Sequence, residues 1–247
     1  MHAEHIIIIR FSAMGDVAMT LPVVYSLAKQ YPDLRISVLS RPFARAFFES
    51  IAPNVDFMEA DLKGEYKGIK GLNRLYRRLI AKHPTAVADF HNVLRTKFLR
   101  QRFHLDRIKT AHIDKHKEGK RLLCRRRNKV FVQQPTSFSN YQDVLKELGY
   151  PVRLSFQSIF PKEGGDLSTL SPVVGTKPSG CQWIGIAPFA AHQGKMYPQE
   201  KMERVIDLLV QRAPTCRIFL FGGGKKEKDI LGRWAEKHSQ CISQPQP

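Results

Sequence analysis

The apolar positions of this chain change their period several times, and each change marks an element. Residues 5–11 hold four consecutive isoleucines, Ile6 to Ile9. A short β-branched run without polar alternation predicts a strand buried on both faces, the habit of parallel sheets. Ser12 to Gly15 reads as a turn. From Val17, apolar residues at 17, 21, 24, 27 and 28 predict a helix that stops at Tyr31-Pro32-Asp33. The alternation then continues with a strand at 34–40 and a short helix at 41–51 that has Pro42 in its first turn. A strand at 55–60 leads to a helix at 68–83 with Leu72, Leu75 and Leu79 on one face. A strand at 85–90 precedes a helix at 93–103, and a further helix is expected at 137–150, capped by Ser137 or Ser139. A stretch rich in Pro, Gly, Ser and Thr follows at 161–180. The rhythm restarts with a strand at 183–188, a loop at 189–197 and a helix at 198–212. It closes with a strand at 216–221, three glycines at 222–224, a helix to His238 and a short strand at 241–244.

Strand–helix alternation of this kind predicts an α/β protein with parallel, doubly wound sheets. The expected organisation is an N-terminal unit at 1–165, a linker at 166–181 and a second unit at 182–247. The second unit is small for an independent domain, and its last strand runs into the end of the chain, so it is expected to be incomplete.

Composition narrows the class. Of the 247 residues, 43% are hydrophobic and 25% charged, which is ordinary for a globular protein. Apolar runs such as Ile6–Ile9 fall far short of the ~20 residues of a membrane-spanning helix. Cys124, Cys181, Cys216 and Cys241 are widely spaced and form no CxxC pair, which argues against a zinc ribbon or a disulfide framework and fits a reducing cytoplasm. The charge is less ordinary. Forty Lys and Arg against 22 Asp and Glu give +18, which points to an anionic partner. Between Arg95 and Lys129 fourteen basic residues face three acids, most densely in KRLLCRRRNK at 120–129.

Four segments carry candidate chemistry, all at the ends of predicted strands, where open α/β sheets place their sites. In RFSAMGDVAMT, Gly15 permits a tight turn and Asp16 stands at the start of a helix. An acid there is a favoured cap, worth about 1 kcal/mol. It is also a candidate base, kept ionised by the helix N-terminus and approached through the small residues Ser12, Ala13 and Gly15. DFHNVLRT places Asp89, His91, Asn92 and Arg95 at a crevice edge, with capping the competing role for Asp89. PFAAHQGKMYP holds Gly194 and Lys195 in a loop before a helix, an arrangement suited to a phosphate, although the Walker A spacing is absent. FLFGGGKKEKD is not GxGxxG. Its Gly223 allows close approach of a ligand, and Glu227 either accepts from a ribose or serves as a first-turn acid. No HExxH or similar spacing exists among the nine histidines, so no metal site is expected.

Taken together and in this order, the four segments resemble the heptosyltransferases of glycosyltransferase family 9. IIIIRFSAMGDVAMTLPVVYSLAKQYPD is similar to that family's opening signature of R-x-S-x-x-G-D, T-x-P and Y-P-D. DFHNVLRT is similar to its D-x-H-x-x-x-R-S/T segment. IGIAPFAAHQGKMYPQEKMERVI is similar to its donor-side loop, and IFLFGGGKKEKD to its next glycine-rich turn. The resemblance implies a GT-B architecture of two Rossmann-like domains, acceptor in the first and nucleotide sugar in the second. It implies inverting transfer of heptose from ADP-heptose to a lipopolysaccharide inner-core acceptor, without a metal or other cofactor. Carried over by position, Asp16 matches the general base. Lys195 matches the lysine on the donor diphosphate, and Glu227 most nearly the acid near the adenosine ribose. Ser12, Gly15, Asp89, His91, Asn92 and Arg95 fall on the acceptor side, and Gly194 and Gly223 on the donor side. The implied setting is a monomer in the cytoplasm, peripheral at the inner face of the cytoplasmic membrane, meeting an anionic acceptor and an anionic membrane surface but no nucleic acid. The family's late donor motif (an aspartate, a small hydroxyl residue, a glycine and a histidine) has no match here, so the resemblance is to a C-terminally truncated transferase. Two alternatives stay open at this stage: an inactive transferase scaffold that binds anionic surfaces, and a basic nucleic-acid-binding protein.

Overall fold

A computed structural model describes residues 4–49, 51–160 and 174–243. The chain falls into two compact units, Met1–Ile159 and Phe160–Pro247. The expected boundary at 165/166 and much of the linker expected at 166–181 lie outside the described residues.

The first unit contains a five-stranded parallel sheet in the order β3-β2-β1-β4-β5. Its strands are β1 (His5–Ile9), β2 (Arg35–Ser40), β3 (Val55–Glu59), β4 (Ala86–Asp89) and β5 (Lys109–His112). The isoleucine run explains why both faces are covered. Ile6 and Ile8 pack in one core with α2 (Leu21–Gln30) and α7 (Ser137–Leu148), through Val23, Val24 and Leu27 and through Tyr141, Val144, Leu145 and Leu148. Ile7 and Ile9 pack in a second core with α4 (Gly68–Ile80) and α5 (Leu94–Leu105), through Leu75, Tyr76 and Leu79 and through Leu99 and Phe103. All four isoleucines are fully buried, each contributing about 1.5–3 kcal/mol by removal from water. The sheet order reverses between β2-β1 and β4, so the carboxyl ends of β1 and β4 flank the switch point where doubly wound folds bind ligands.

Several boundaries differ from expectation. The helix expected from Val17 is two helices, α1 (Met14–Ala18) and α2. Between them Thr20 donates its hydroxyl to Val17 O at 2.7 Å, and Pro22 stands in the first turn of the second helix. The helix expected at 41–51 is a 3-10 turn followed by the single turn α3 (Arg45–Phe48). The basic segment after Arg95, read only as a charge run, contains β5 and the short α6 (Lys117–Leu123). As an edge strand β5 buries only Ala111, so it carries almost no apolar signal.

In the second unit, parallel strands β6 (Trp183–Ile186), β7 (Arg217–Leu220) and β8 (Cys241–Ser243) lie in that order. The helices α8 (Gln199–Arg212) and α9 (Gly224–Lys237) supply Ile206, Leu231 and Trp234 to one core with Ile186, Ile218 and Leu220.

Candidate active site

The site is built from the two chain segments that leave β1 and β4. Arg10 is the first residue after β1 and is nine-tenths buried. Its guanidinium donates to Phe90 O at 2.6 Å, across to the segment after β4, and lies 2.7 Å from Asp16 Oδ2. The same carboxylate oxygen accepts from Ala13 N at 3.1 Å. The N-cap is Ala13 rather than Asp16: Asp16 stands at the third helical position and its side chain reaches back to the Ala13 amide, while remaining half exposed. This contact with the start of the helix leaves the carboxylate accessible from outside. Partial burial works to raise the Asp16 pKa, but the Ala13 N–H and the Arg10 cation outweigh it and hold the carboxyl below its ordinary value. Gly15 keeps the approach open, since a Cβ placed there would touch nothing within 4 Å.

His91 stands beside this pair, its Nε2 at 3.3 Å from Ser12 Oγ and its ring edge-on to Phe11. Burial and the nearby cations Arg10 and Lys115 push its pKa down to about 4, so it is a neutral imidazole at pH 7. Its Nδ1 and the Nε of Arg10 are buried without a hydrogen-bond partner among the described residues. Leaving a buried polar group unpaired costs about 1–3 kcal/mol, and two of them in one cluster is what a site prepared for a ligand or bound water leaves behind.

Asp89 lies at the end of β4. It is fully buried. Oδ1 accepts from the backbone N–H of His91 at 2.9 Å and of Asn92 at 2.8 Å, and Oδ2 pairs with Arg100 Nε at 3.0 Å. Oδ1 is taken by the two backbone donors, while Oδ2 meets Arg100 as an ion pair without hydrogen-bond geometry, so Asp89 shapes the turn after β4. Asn92 takes the left-handed conformation there, with φ at 47°, which Asn tolerates better than most residues. Its side chain donates to Ile113 O at 3.0 Å and accepts from Arg100 at 3.2 Å. Arg95 is exposed, and among the described residues it makes no ion pair with this cluster. The arginine that joins Asp89 and Asn92 is Arg100.

Sequence reading missed Arg10, Arg100, Lys115 and Tyr141 as members of the site. Lys115 donates to Asn92 O at 3.1 Å, and burial, together with Arg10 and Lys117, lowers its pKa. Tyr141 OH lies 3.4 Å from Asp16 O, and its ring stacks on Phe90. Only Arg10 carried a local signal, a charge directly following a buried strand. A polar cavity of about 590 Å3 lies alongside, lined by Asn92, Lys97, Lys115 and Lys117 and by the acids Asp114 and Glu118. Among the described residues no group of three or more His, Cys, Asp or Glu could hold a metal ion.

The remaining candidates belong to the second unit. Gly194 and Lys195 lie in an exposed 3-10 turn, Gln193–Lys195, after β6. Gly223 precedes α9, and its N–H donates to Glu227 Oε2 at 2.7 Å. Glu227 is thus an acid in the first turn of α9 that accepts from the residue before the helix. Gly222 is held small by packing, because a Cβ there would stand 2.8 Å from Leu231 Cδ1 and 3.3 Å from Glu227 Cβ.

No protein-family model matches the chain, and neither does any curated protein. Solved structures do match its fold. E. coli heptosyltransferase WaaC with ADP-2-deoxy-2-fluoro heptose aligns with a TM-score of 0.66 at 20% identity, over 98% of this chain and 76% of that one. The family 9 glycosyl transferase from Veillonella parvula aligns at 0.70 and 19% identity, over 98% and 70%. A putative UDP-N-acetylglucosamine 2-epimerase from Listeria monocytogenes aligns at 0.52 and 12% identity, over 98% and 69%. This chain therefore has the GT-B type of fold, with two α/β units that each hold a parallel sheet, and it spans about three quarters of the length of those proteins.

Proposed function

We propose that the chain is an inverting glycosyltransferase that moves a heptose from ADP-heptose to an anionic acceptor of the lipopolysaccharide inner core. The observation that carries this reading is Asp16, a half-exposed carboxylate paired with the Ala13 N–H and Arg10 at the switch point of the first sheet. In the proposed reaction Asp16 takes the proton of an acceptor hydroxyl. The acceptor oxygen attacks the anomeric carbon from the face opposite the diphosphate, the bond from that carbon to the phosphate oxygen breaks, and ADP leaves with the electron pair. Lys195 holds the departing diphosphate charge, and Glu227 accepts from the ribose of the donor. The diphosphate is a good leaving group, so a second carboxylate acting as acid is not needed.

The low basicity of an arginine-paired carboxylate has a consequence. Asp16 gains the proton late, as the hydroxyl loses it to the forming bond, and Arg10 steadies the charge until then. Neutral His91 and Ser12 line the same opening and can orient the hydroxyl. The cavity beside Asn92 is lined by Lys97, Lys115 and Lys117 together with Asp114 and Glu118, and its lysines would meet the carboxylates or phosphates of an inner-core acceptor. The fold likeness to heptosyltransferases is consistent with this reading without deciding it, since a putative epimerase shares the fold. We place the reaction at an anionic membrane surface, in keeping with the +18 charge.

The test is release of ADP from ADP-heptose in the presence of a lipopolysaccharide-core acceptor. Turnover that depends on acceptor and is lost in Asp16→Asn supports the reading. Turnover unchanged in that variant removes Asp16 as the base.

A further inference from the structure

The exposed surface of the first unit is most unusual just after α6. Residues Cys124 to Val132, CRRRNKVFV, are all exposed and belong to no helix or strand. Arg125, Arg126, Arg127 and Lys129 stand in succession, and among the described residues no carboxylate pairs with any of them. Three apolar side chains follow directly, and they too face water: Val130 is 42% exposed, Phe131 81% and Val132 58%. Lys120 and Arg121 of α6 extend the basic surface, and Arg121 is held only loosely, 4.0 Å from Glu118. Water is a poor environment for a consecutive Val-Phe-Val, and a monomeric surface seldom exposes one beside so dense a charge.

We infer that residues 120–132 form a docking element for an anionic phospholipid bilayer, with the cations on the headgroups and Phe131 at the acyl boundary. Charge and apolarity in adjacent positions match the layered chemistry of such an interface. Two valines beside one aromatic do not make a stacking platform for successive bases, so single-stranded nucleic acid fits the pattern less well. The inference rests on the proposed function only for the membrane as the place of work, and the segment is chosen by exposure and charge.

The experiment uses the full chain with sedimented vesicles, either phosphatidylcholine alone or phosphatidylcholine with about one third phosphatidylglycerol. Binding is expected only to the anionic vesicles and is expected to weaken as salt rises toward 0.5 M, about where the screening length falls to a few Å. The triple variant R125A/R126A/R127A is expected to lose roughly a hundredfold in partitioning, and Phe131→Asp roughly tenfold. All four positions are exposed, so both variants should keep the wild-type melting temperature. A dye on exposed Cys124, in a Cys181→Ser background, should shift its emission to the blue on binding. Undiminished binding by either variant, equal binding to both vesicles, or binding to an RNA oligonucleotide with none to vesicles would overturn the inference. ADP release with a de-acylated, soluble acceptor separates the two ideas. Release that persists without vesicle binding sinks only the docking element, and docking without any release sinks only the transferase.

Discussion

The Arg10 guanidinium lies 2.7 Å from the Asp16 carboxylate while reaching Phe90 O at 2.6 Å. One side chain thus ties the end of β1 to the end of β4 and, with the Ala13 N–H, holds the pKa of the candidate base below its ordinary value. Replacing it by Gln removes the cation, and the Asp16 pKa rises toward its ordinary value. The acid limb of the pH–rate profile for ADP release should then move to higher pH. Loss of a charged hydrogen bond to a buried carbonyl should also lower stability by about 1.5–3 kcal/mol. An acid limb that stays in place would show that Asp16 is not the group titrating.

Asp16 can be tested for cap and base separately. Asparagine still accepts from Ala13 N, so Asp16→Asn should keep the stability lost to alanine, about 1 kcal/mol. It should nevertheless lose about 10²–10⁴ in turnover, the usual worth of a positioned base. Thermal melts and ADP release on the two variants resolve the roles.

The buried pair of Asp89 with Arg100 is expected to be structural. Arg100→Met leaves a fully buried carboxylate with only its two backbone donors, at a cost of about 3–5 kcal/mol. Asp89→Asn with Arg100→Met together should cost less than the sum of the two changes. Urea denaturation of the four proteins measures that difference directly.

His91 makes stability depend on acid. Its pKa is near 6.5 when unfolded and about 4 in the fold. Below pH 6.5 the unfolded chain binds a proton that the folded chain refuses, so stability falls as pH drops toward 4 and this contribution levels off below that. His5, also lowered by burial between Lys82 O and Ser37, adds to the same slope. Denaturant midpoints of His91→Asn between pH 6.5 and pH 4 should fall less steeply than those of the parent.

Lys195 is exposed on its turn and makes no ion pair among the described residues. Lys195→Ala should therefore change stability by no more than about 0.5 kcal/mol. Calorimetric affinity for ADP should drop roughly tenfold or more if the lysine meets the diphosphate. A variant that binds ADP as tightly as the parent would remove Lys195 from the donor site.

What the sequence made legible follows from what is local. Ile6 to Ile9 announced a strand covered on both faces, and the two cores divide those isoleucines alternately. The glycine and aspartate after it announced a turn into a helix. The partners of these residues were not legible, because Arg10 meets Phe90 and Arg100 meets Asp89 only once β1 and β4 are side by side. Asp89 shows the converse. Its motif marks a strand end correctly, yet whether a carboxylate there faces a ligand or its own turn depends on the conformation of Asn92 and on a guanidinium eleven residues along. The missed β5 had little to announce, since three of its four residues are not buried.

The pairing of β1 with β4 also gives the site a history. Ile6 to Ile9 align with Ala86 to Asp89, and the contact from Arg10 to Phe90 bridges 80 positions of chain. During synthesis the first 85 residues can emerge with β1, β2 and β3 complete and still have no counterpart for Arg10. The candidate centre comes into being when one late strand slides in beside the first. Loss of that strand in the folded protein would dissolve the centre as a unit, so proton exchange at the Phe90 amide, bonded to Ile9 O at 3.1 Å, reports on the integrity of the candidate centre without any substrate present.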